Sequence, residues 1–496
     1  MRRRDVFRMT AVVGAAGALT VEGVTSARAD GPAREETRTL TGRLPAGAPD
    51  YVYLPVEVPA GVRELAVSYT YDRPEVPPGT LGNACDVGIF DERGTALGGA
   101  GFRGWSGGAR TEFVVGTERA TPGYLPGPVR PGTWHVVLGP YTVAPQGMAY
   151  EVRVTLRYGP AGRTPAVVHP PQRAAGRGRA WYRGDNHLHS VHSDGRRTPA
   201  EIAAAARAAG LDWITTTEHN TTSAHGAWQG LWGDDLLILT GEEVTTRNGH
   251  VLALGTDPGV FVDWRYRARD GAGQGAFARF ARAIRRAGGL VVPAHPFADC
   301  PGCSWKFGYE HADVVEVWNG PWTPDDEMAV AAWDAGLAAA ARGGGRWLPA
   351  MGNSDAHREP QVVGLPQTVV LADSLSRQDL LAGLRAGRSW IAESSAVGLT
   401  FEAYGARGGR AGIGGRLRVR ADDEPVTVRL GVTGVPGAVV RLVTDQGPVF
   451  TAPLPADGRL EWGTSAARSA YVRAEVRRGG ADRPMVALTN PVFLGA

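Results

Sequence analysis

The chain has almost no lysine. Of its 53 basic residues Lys306 is the single one that is not arginine, and the formal net charge is only +3. So small an excess gives no charge-driven grip on nucleic acid, and the arginine bias reads as a coding preference. Cysteine is equally scarce, with three residues and one Cys-x-x-Cys pair, Cys300-Pro301-Gly302-Cys303. The lack of a second pair argues against a structural zinc. The pair is expected to close a small disulfide in an oxidising compartment, with a redox pair or half a zinc site as the alternatives. Cys85 is left over and is expected to be buried. The uncharged run Thr10 to Leu19 is too short to span a bilayer. No Gly-rich phosphate loop and no serine nucleophile elbow occurs.

What the N-terminus does carry is a targeting pattern. Arg2-Arg3-Arg4-Asp5-Val6-Phe7 is a basic start, Thr10 to Leu19 an apolar centre, and Ala27-Arg28-Ala29 an A-x-A-like cleavage site. Residues 1–29 therefore read as a removed signal peptide. The paired arginines resemble a twin-arginine signal, with an ordinary Sec signal as the alternative. The twin-arginine machinery exports proteins already folded. Without a lipobox cysteine, a free secreted or cell-envelope protein is expected, with no membrane span once the signal is gone.

The length of 496 residues is enough for two or three domains. Residues 30–158 alternate in short runs such as Glu64-Leu65-Ala66-Val67-Ser68-Tyr69, densely punctuated by Gly and Pro, and are expected to form a β-sandwich. Residues 159–180, rich in Pro, Gly, Arg and Ala, read as a linker or surface strap. From 181 to 395 strand and helix patterns alternate. Thr198-Pro199-Ala200-Glu201 contains a cap, a first-turn proline and a capping-box glutamate, predicting a helix that runs to Gly210. Further helices are predicted over 275–287, 324–341 and 377–386. About seven intervening strand-like runs give the pattern of a βα barrel. Residues 396–496 return to short alternating strands and predict a second small β-sandwich.

Chemistry concentrates in the 181–395 segment, where nine of the eleven histidines lie between 187 and 357. His187 and His189 stand two apart, so on extended chain both rings reach one face and one ion. Asp194 follows, just before a turn at Gly195. Later strand-like runs end at His219, Glu243, His295, Asp355 and His357, and His250 opens another. Imidazole and carboxylate groups gathered at strand ends are ligands for divalent metal. Glu242 is one off register and should point away from this set.

The order and spacing resemble the PHP (polymerase and histidinol phosphatase) superfamily. The flanking words Thr217-Glu218-His219-Asn220, Gly241-Glu242-Glu243, Gly249-His250-Val251 and Gly352-Asn353-Ser354-Asp355-Ala356-His357 are similar to its exported carbaryl-hydrolase-like (CehA/McbA-type) branch. The resemblance covers roughly residues 181–395. It implies a distorted (β/α)7 TIM-like barrel binding two or three divalent ions (Zn, Mn or Fe), here flanked by the two β-sandwiches. Carried over, His187, His189, Asp355 and Glu243 would hold one ion. Glu243 would bridge to a second held by His250 and His295. Asp194, His219 and His357 would hold a third. Many members have Asp where this chain has Glu218, a position suited to orienting His219.

Metals lower the pKa of bound water from about 15.7 towards about 7, and paired ions clamp both oxygens of a phosphoryl transfer. The expected activity is thus hydrolysis of a small-molecule phosphate ester by a metal-bridging hydroxide, with Glu243, His295 and Asp355 at its centre. A carboxylic ester, carbamate or amide hydrolase with the same centre is the alternative, and a non-catalytic envelope protein that binds glycan is a further one. His192, Asn220, Asn319 and Arg358 are candidates to touch substrate, Arg358 through bidentate pairing with phosphate. His225 and His311 are expected at the surface.

Overall fold

The computed structural model describes residues 21–29, 34–266, 273–479 and 483–495. The twin-arginine segment and the apolar run Thr10 to Leu19 lie outside them. Ala27 to Ala29 lie inside, as the end of a strand, Val21–Ala29, paired antiparallel with Glu35–Leu44. The chain divides into two compact units, one of residues up to Val167 together with His192–Asp194, the other of Val168–Val191 and Gly195 onward.

Among the described residues the first unit has strands and no helix. A five-stranded antiparallel sheet runs in the order Val21–Ala29, Glu35–Leu44, Met148–Tyr158, Val62–Tyr71, Glu112–Gly116. A four-stranded antiparallel sheet runs Val52–Val58, Gly132–Thr142, Ala84–Phe90, Phe102–Gly107. The two-residue period seen in the sequence is the period of burial. In Val52–Val58, Val52, Leu54, Val56 and Val58 are buried, whereas Tyr53, Pro55 and Glu57 are not. Leu54, Val136, Val67, Val152 and the fully enclosed Trp134 meet in one apolar core, and each such side chain contributes about 1.5–3 kcal/mol by leaving water. Cys85 is buried there as expected.

The second unit carries four α-helices among the described residues, all where the sequence places them. Helix α1 is Pro199–Ala208, α2 Gly273–Arg286, α3 Pro324–Ala341 and α4 Arg377–Arg385. In α1 the Thr198 side chain and the Glu201 carboxylate cap each other's backbone N–H groups. The chain leaves that helix at Gly210, whose φ of 69° suits a residue without a Cβ.

The strands do not lie in one parallel sheet. Ala180–Asp185, Trp213–Thr216 and Leu237–Thr240 pair in parallel, as do Val315–Asn319 and Ala350–Asn353. Glu242–Thr246, Gly249–Leu254 and Leu290–Pro293 form a separate antiparallel sheet. The physical reason is the connection. Only Arg247 and Asn248 join the first two strands, and a parallel crossover needs a dozen residues or more.

Residues 396–496 contribute a four-stranded antiparallel sheet and, in addition, continue the sheet of the site. Met485–Thr489 pairs directly with Ser389–Ala392, which pairs with Gln367–Ala372 and through it with Ala180–Asp185. One core contains Trp318, Trp333 and Ile391 together with Tyr471, Leu488 and Phe493. Residues from Val168 belong to this unit as a strap, with Ala174 N–H bonded to Leu375 O and Arg377 N–H to Gln172 O, both at 2.9 Å. No helix among the described residues is long and apolar enough to cross a membrane.

Candidate metal centre

The first ligand segment is the extended continuation of Ala180–Asp185. Asn186 anchors it, its Oδ1 accepting from Trp213 Nε1 (2.9 Å) and Thr215 Oγ1 (3.1 Å). Asp185 accepts the backbone N–H groups of Ser354 (3.1 Å) and Gly364 (2.8 Å). Leu188 then bridges Ala356 in parallel. Held straight in this way, residues i and i+2 share a face. The Nε2 atoms of His187 and His189 lie 3.3 and 3.2 Å from Glu243 Oε2, and 3.2 and 3.0 Å from Asp355 Oδ1.

These four atoms surround one small gap, each nitrogen 3.0–3.3 Å from both oxygens. Ligand atoms around an ion with bonds of about 2.0–2.1 Å stand about 3.3 Å apart, close to the spacing observed. His187 Nε2, Glu243 Oε2 and Asp355 Oδ1 are buried and make no hydrogen bond among the described residues. Buried polar atoms ordinarily find partners, and a shared cation is the partner this arrangement fits.

Glu243 faces two ways. Its Oε1 lies 2.8 Å from His250 Nδ1 and 3.2 Å from His295 Nε2. Its Oε2 also lies 2.8 Å from His219 Nδ1. The His189 ring stacks on His219 at 4.2 Å and on His357 at 4.1 Å, and the three offer nitrogens within 4.8 Å of one another. Asp194 belongs to the segment His192–Asp194 that groups with the first unit. The chain turns back immediately after it, since a Cβ on Gly195 would lie 2.3 Å from His189 O.

The electrostatics agree with a ligand set. Burial would raise the Glu243 carboxyl, but the His219, His187 and His250 imidazoles reverse this and hold it well below the usual range. Burial acts the same way on Asp355, and His187, His189 and His357 hold it low. Burial would lower His187, yet Asp355, Glu243 and Glu316 hold it well above an ordinary histidine. His250 is pushed down to about 4, because burial outweighs its contact with Glu243. It is therefore neutral near pH 7, the form in which imidazole binds metal.

The backbone is strained where ligands emerge. Among the described residues four that are not glycine have positive φ, and three are here: Asn220 (53°), His295 (28°) and Asp355 (48°). Such conformations cost on the order of 1–3 kcal/mol each and persist where the surroundings over-determine them.

Sequence reasoning missed Glu316. It is fully buried and sits behind the cluster, with Oε1 3.2 Å from His187 Nδ1. It also accepts from Asn353 Nδ2 (2.8 Å), the His295 backbone N–H (2.9 Å) and Asn319 Nδ2 (3.0 Å). The available signal was a charged residue inside the apolar run Val314 to Trp318, since a buried charge needs built partners.

The residues expected near substrate are placed differently from one another. Asn220 is buried and doubly bonded to Thr245, accepting its N–H (2.8 Å) and donating to its carbonyl (3.0 Å). Asn319 donates to Glu316 and approaches Asp355 Oδ2 at 3.4 Å. Both therefore brace the ligand loops. Arg358 is exposed one residue beyond His357, and His192 is half-buried.

Three neighbouring residues settle other expectations. The Glu218 carboxylate accepts the Ser190 N–H at 3.1 Å and the Ser190 hydroxyl, tying the second ligand loop to the first. His219 Nδ1, besides its approach to Glu243, lies 2.5 Å from Thr245 Oγ1. His225 is not at the surface: it is 1% exposed, with Nε2 2.8 Å from Gly241 O and Nδ1 accepting from Gly259 N–H at 2.9 Å. Its two ring nitrogens pin two loops, a role that a lone histidine between apolar residues does not advertise. Glu242 is buried and accepts the Val262 N–H (2.8 Å), on the side away from the ligands.

No family model and no curated protein matches the chain. Several solved structures resemble it. A two-domain protein from Bacteroides vulgatus containing a predicted PHP-like metal-dependent phosphoesterase is 16% identical, over 67% of this chain and 100% of its own, with a TM-score of 0.35. A candidate metal-dependent phosphoesterase from Bifidobacterium adolescentis is 19% identical over 44% of this chain and 96% of its own, with a TM-score of 0.28. An amidohydrolase from Chromobacterium violaceum, solved with sulfate and no metal, is 20% identical over 36% of this chain and 89% of its own, with a TM-score of 0.23.

Proposed function

We propose that this chain is a metal-dependent hydrolase acting on phosphate esters. The observation that carries the reading is the convergence of His187, His189, Glu243 and Asp355 at 3.0–3.3 Å in a buried hole. These four would hold one ion and Glu243 with His250 and His295 a second, leaving His219 and His357 for a third. Nitrogen and oxygen ligands without thiolate suit Zn, Mn or Fe. Ions bound there supply Lewis acidity and lower the pKa of water towards about 7.

The protein groups have their own tasks. Glu243 spans two ligand sets with one carboxylate and so fixes their spacing. Glu316, facing His187 Nδ1, holds the proton on that nitrogen and leaves Nε2 turned to Glu243 and Asp355. The walls around His187 and His189 keep water out, since both side chains are 0% exposed. His219, Asp355 and His357 are 20–21% exposed and mark the open side from which an ester would approach. Arg358, beside His357, is the cation proposed to pair with its phosphate there.

The motif words further support a distorted (β/α)7 barrel of the exported carbaryl-hydrolase-like PHP branch, sent out by the twin-arginine machinery. Cleavage after Ala29 would remove the strand Val21–Ala29, so the N-terminal sequence of protein collected outside the cytoplasm should begin at Asp30. The test of function is elemental analysis of the purified protein paired with turnover of an aryl phosphate monoester, a diester and a naphthyl ester. Two or three ions with phosphate-ester turnover is the expected result. Ions with turnover of the naphthyl ester alone would replace the phosphoesterase reading with a carbonyl-ester one. Neither metal nor turnover would refute catalysis and leave the glycan-binding alternative.

A further inference from the structure

The Cys300–Cys303 loop is fastened to both turns that present the imidazoles of the second ligand set. It leaves directly from His295: Ala298 N–H donates to His295 O at 3.0 Å, and Trp305 N–H to Pro296 O at 2.9 Å. It also grips the turn before His250. Gly249 N–H donates to Gly302 O at 2.9 Å, and Lys306 N–H to Asn248 O at 3.0 Å. The approach is close. Gly249 has φ 104°, and a Cβ there would lie 2.7 Å from Trp305 Cα.

The two halves of the loop are held by different means. The later half is packed, with the Trp305 ring 4.8 Å from Phe277 of α2 and 5.1 Å from Phe307. The earlier half is not enclosed: Asp299, Cys300 and Pro301 are exposed, and Gly302 and Cys303 half-buried. Its shape is set by the disulfide between Cys300 and Cys303 and by the Cys303 N–H bond to Cys300 O at 3.1 Å. Gly302, whose carbonyl holds the His250 turn, lies inside that four-residue ring.

We propose that the Cys300–Cys303 disulfide is a positioning element of the metal centre, which fixes His250 and His295 against Glu243 Oε1 and thereby sets the affinity of the ion they share. The proposal rests on the metal-hydrolase reading above. With the disulfide intact, Gly302 O stays where Gly249 N–H needs it and the two imidazoles keep one mutual geometry. With two free thiols the ring opens and the link between the turns slackens. The His187, His189 and Asp355 set is carried by other strands and does not share this tether. Groups that orient metal ligands through hydrogen bonds are typically worth about 10–100-fold in affinity.

The test uses the full-length chain stripped of metal, in three forms. One is oxidised wild type. The second is wild type reduced with dithiothreitol, alkylated with iodoacetamide and desalted. The third is the double variant Cys300→Ser/Cys303→Ser. In the reduction two electrons and two protons pass from the dithiol, the S–S bond becomes two thiols, and the dithiol closes to its cyclic disulfide. Each form is titrated with Zn2+ against a competing chelator, and its thermal midpoint without metal is recorded. Expected is a loss of about 10–100-fold at one class of site in both modified forms, the other class and the metal-free midpoint staying as in wild type. Reoxidation of reduced, unalkylated protein should restore the affinity. Affinities within twofold at every site overturn the proposal. So does a uniform loss accompanied by a lower midpoint, which is what general loosening would produce. Failure of oxidised wild type to take up Zn2+ would instead strike the metal reading itself, and this proposal with it.

Discussion

Replacing Glu316 by glutamine removes one charge and no volume, and should cripple the centre from behind. Each oxygen of this carboxylate is used more than once. Oε1 faces His187 Nδ1 (3.2 Å) and accepts Asn353 Nδ2 (2.8 Å), while Oε2 accepts the His295 N–H (2.9 Å) and Asn319 Nδ2 (3.0 Å). Whichever oxygen becomes an amide NH2, its hydrogens meet donors. A hydrogen bond to a charged group is worth about 1.5–3 kcal/mol, and leaving a buried donor unmet costs about 1–3 kcal/mol. At about 1.36 kcal/mol per decade, the loss from the His187 contact alone is roughly 10–150-fold in the affinity of the ion held by His187, His189, Asp355 and Glu243. The assay is Zn2+ titration of metal-free Glu316→Gln against a competing chelator, with kcat/KM on the best ester measured alongside. Affinity within twofold of wild type would refute the claim that Glu316 sets the orientation of His187.

Three further outcomes follow from the same geometry. His295→Ala should abolish hydrolysis and lower the metal content while leaving the circular dichroism unchanged; an active variant with full metal content would overturn the ligand assignment. Metal uptake at pH 7 should release at least one proton per chain, because His187 in the metal-free protein is held well above an ordinary histidine. Its favourable contact with Asp355 and Glu243 is fully present below about pH 6.5 and is lost as pH rises through the higher folded value, so apparent affinity should climb by up to about tenfold per pH unit in that window. Calorimetry in two buffers of different ionisation enthalpy counts the protons, and a count of zero would contradict the assignment. A chain ending at residue 395 should not fold. It frees the edge of Ser389–Ala392 and removes Tyr471, Leu488 and Phe493 from the core around Trp333 and Ile391, about 1.5–3 kcal/mol each against a typical total of about 5–15 kcal/mol. A soluble, cooperatively melting product would show that those strands are dispensable.

Much of the helix layout was legible because its signals are local. Thr198, Pro199 and Glu201 sit within one turn and can satisfy one another without the rest of the chain. The candidate ligands stood out for a different reason. Coordination chemistry admits few residue types, so His187, His189, His219, Glu243, His250, His295, Asp355 and His357 stand out in a chain otherwise poor in histidine. What remained hidden depends on pairing across long sequence separations. An apolar run such as Met485 to Thr489, buried at every position, carries no information about which strand it pairs with, so its union with Ser389–Ala392 could not be read. The direction of Glu242–Thr246 relative to Gly249–Leu254 was readable in principle, since two linking residues permit only a hairpin.

The braces of the centre divide along the same line. Asn220, Asn319 and Glu316 were either assigned to substrate or passed over, because an amide or carboxylate near a ligand motif looks the same in sequence whether it faces outward or inward. Their partners decide the matter. Asn220 spends its side-chain amide on Thr245, and Asn319 and Glu316 bond one another behind His187 and Asp355. Together with Glu218, which ties the loop of His219 to Ser190, they link the loops of His187, His219, Glu243, His295 and Asp355 to one another. A centre built in this way resists the strain recorded at His295 and Asp355, since none of these loops can relax without breaking bonds to its neighbours. The ligands of such a site are fixed by the chemistry of the ion, whereas its braces are fixed by the fold.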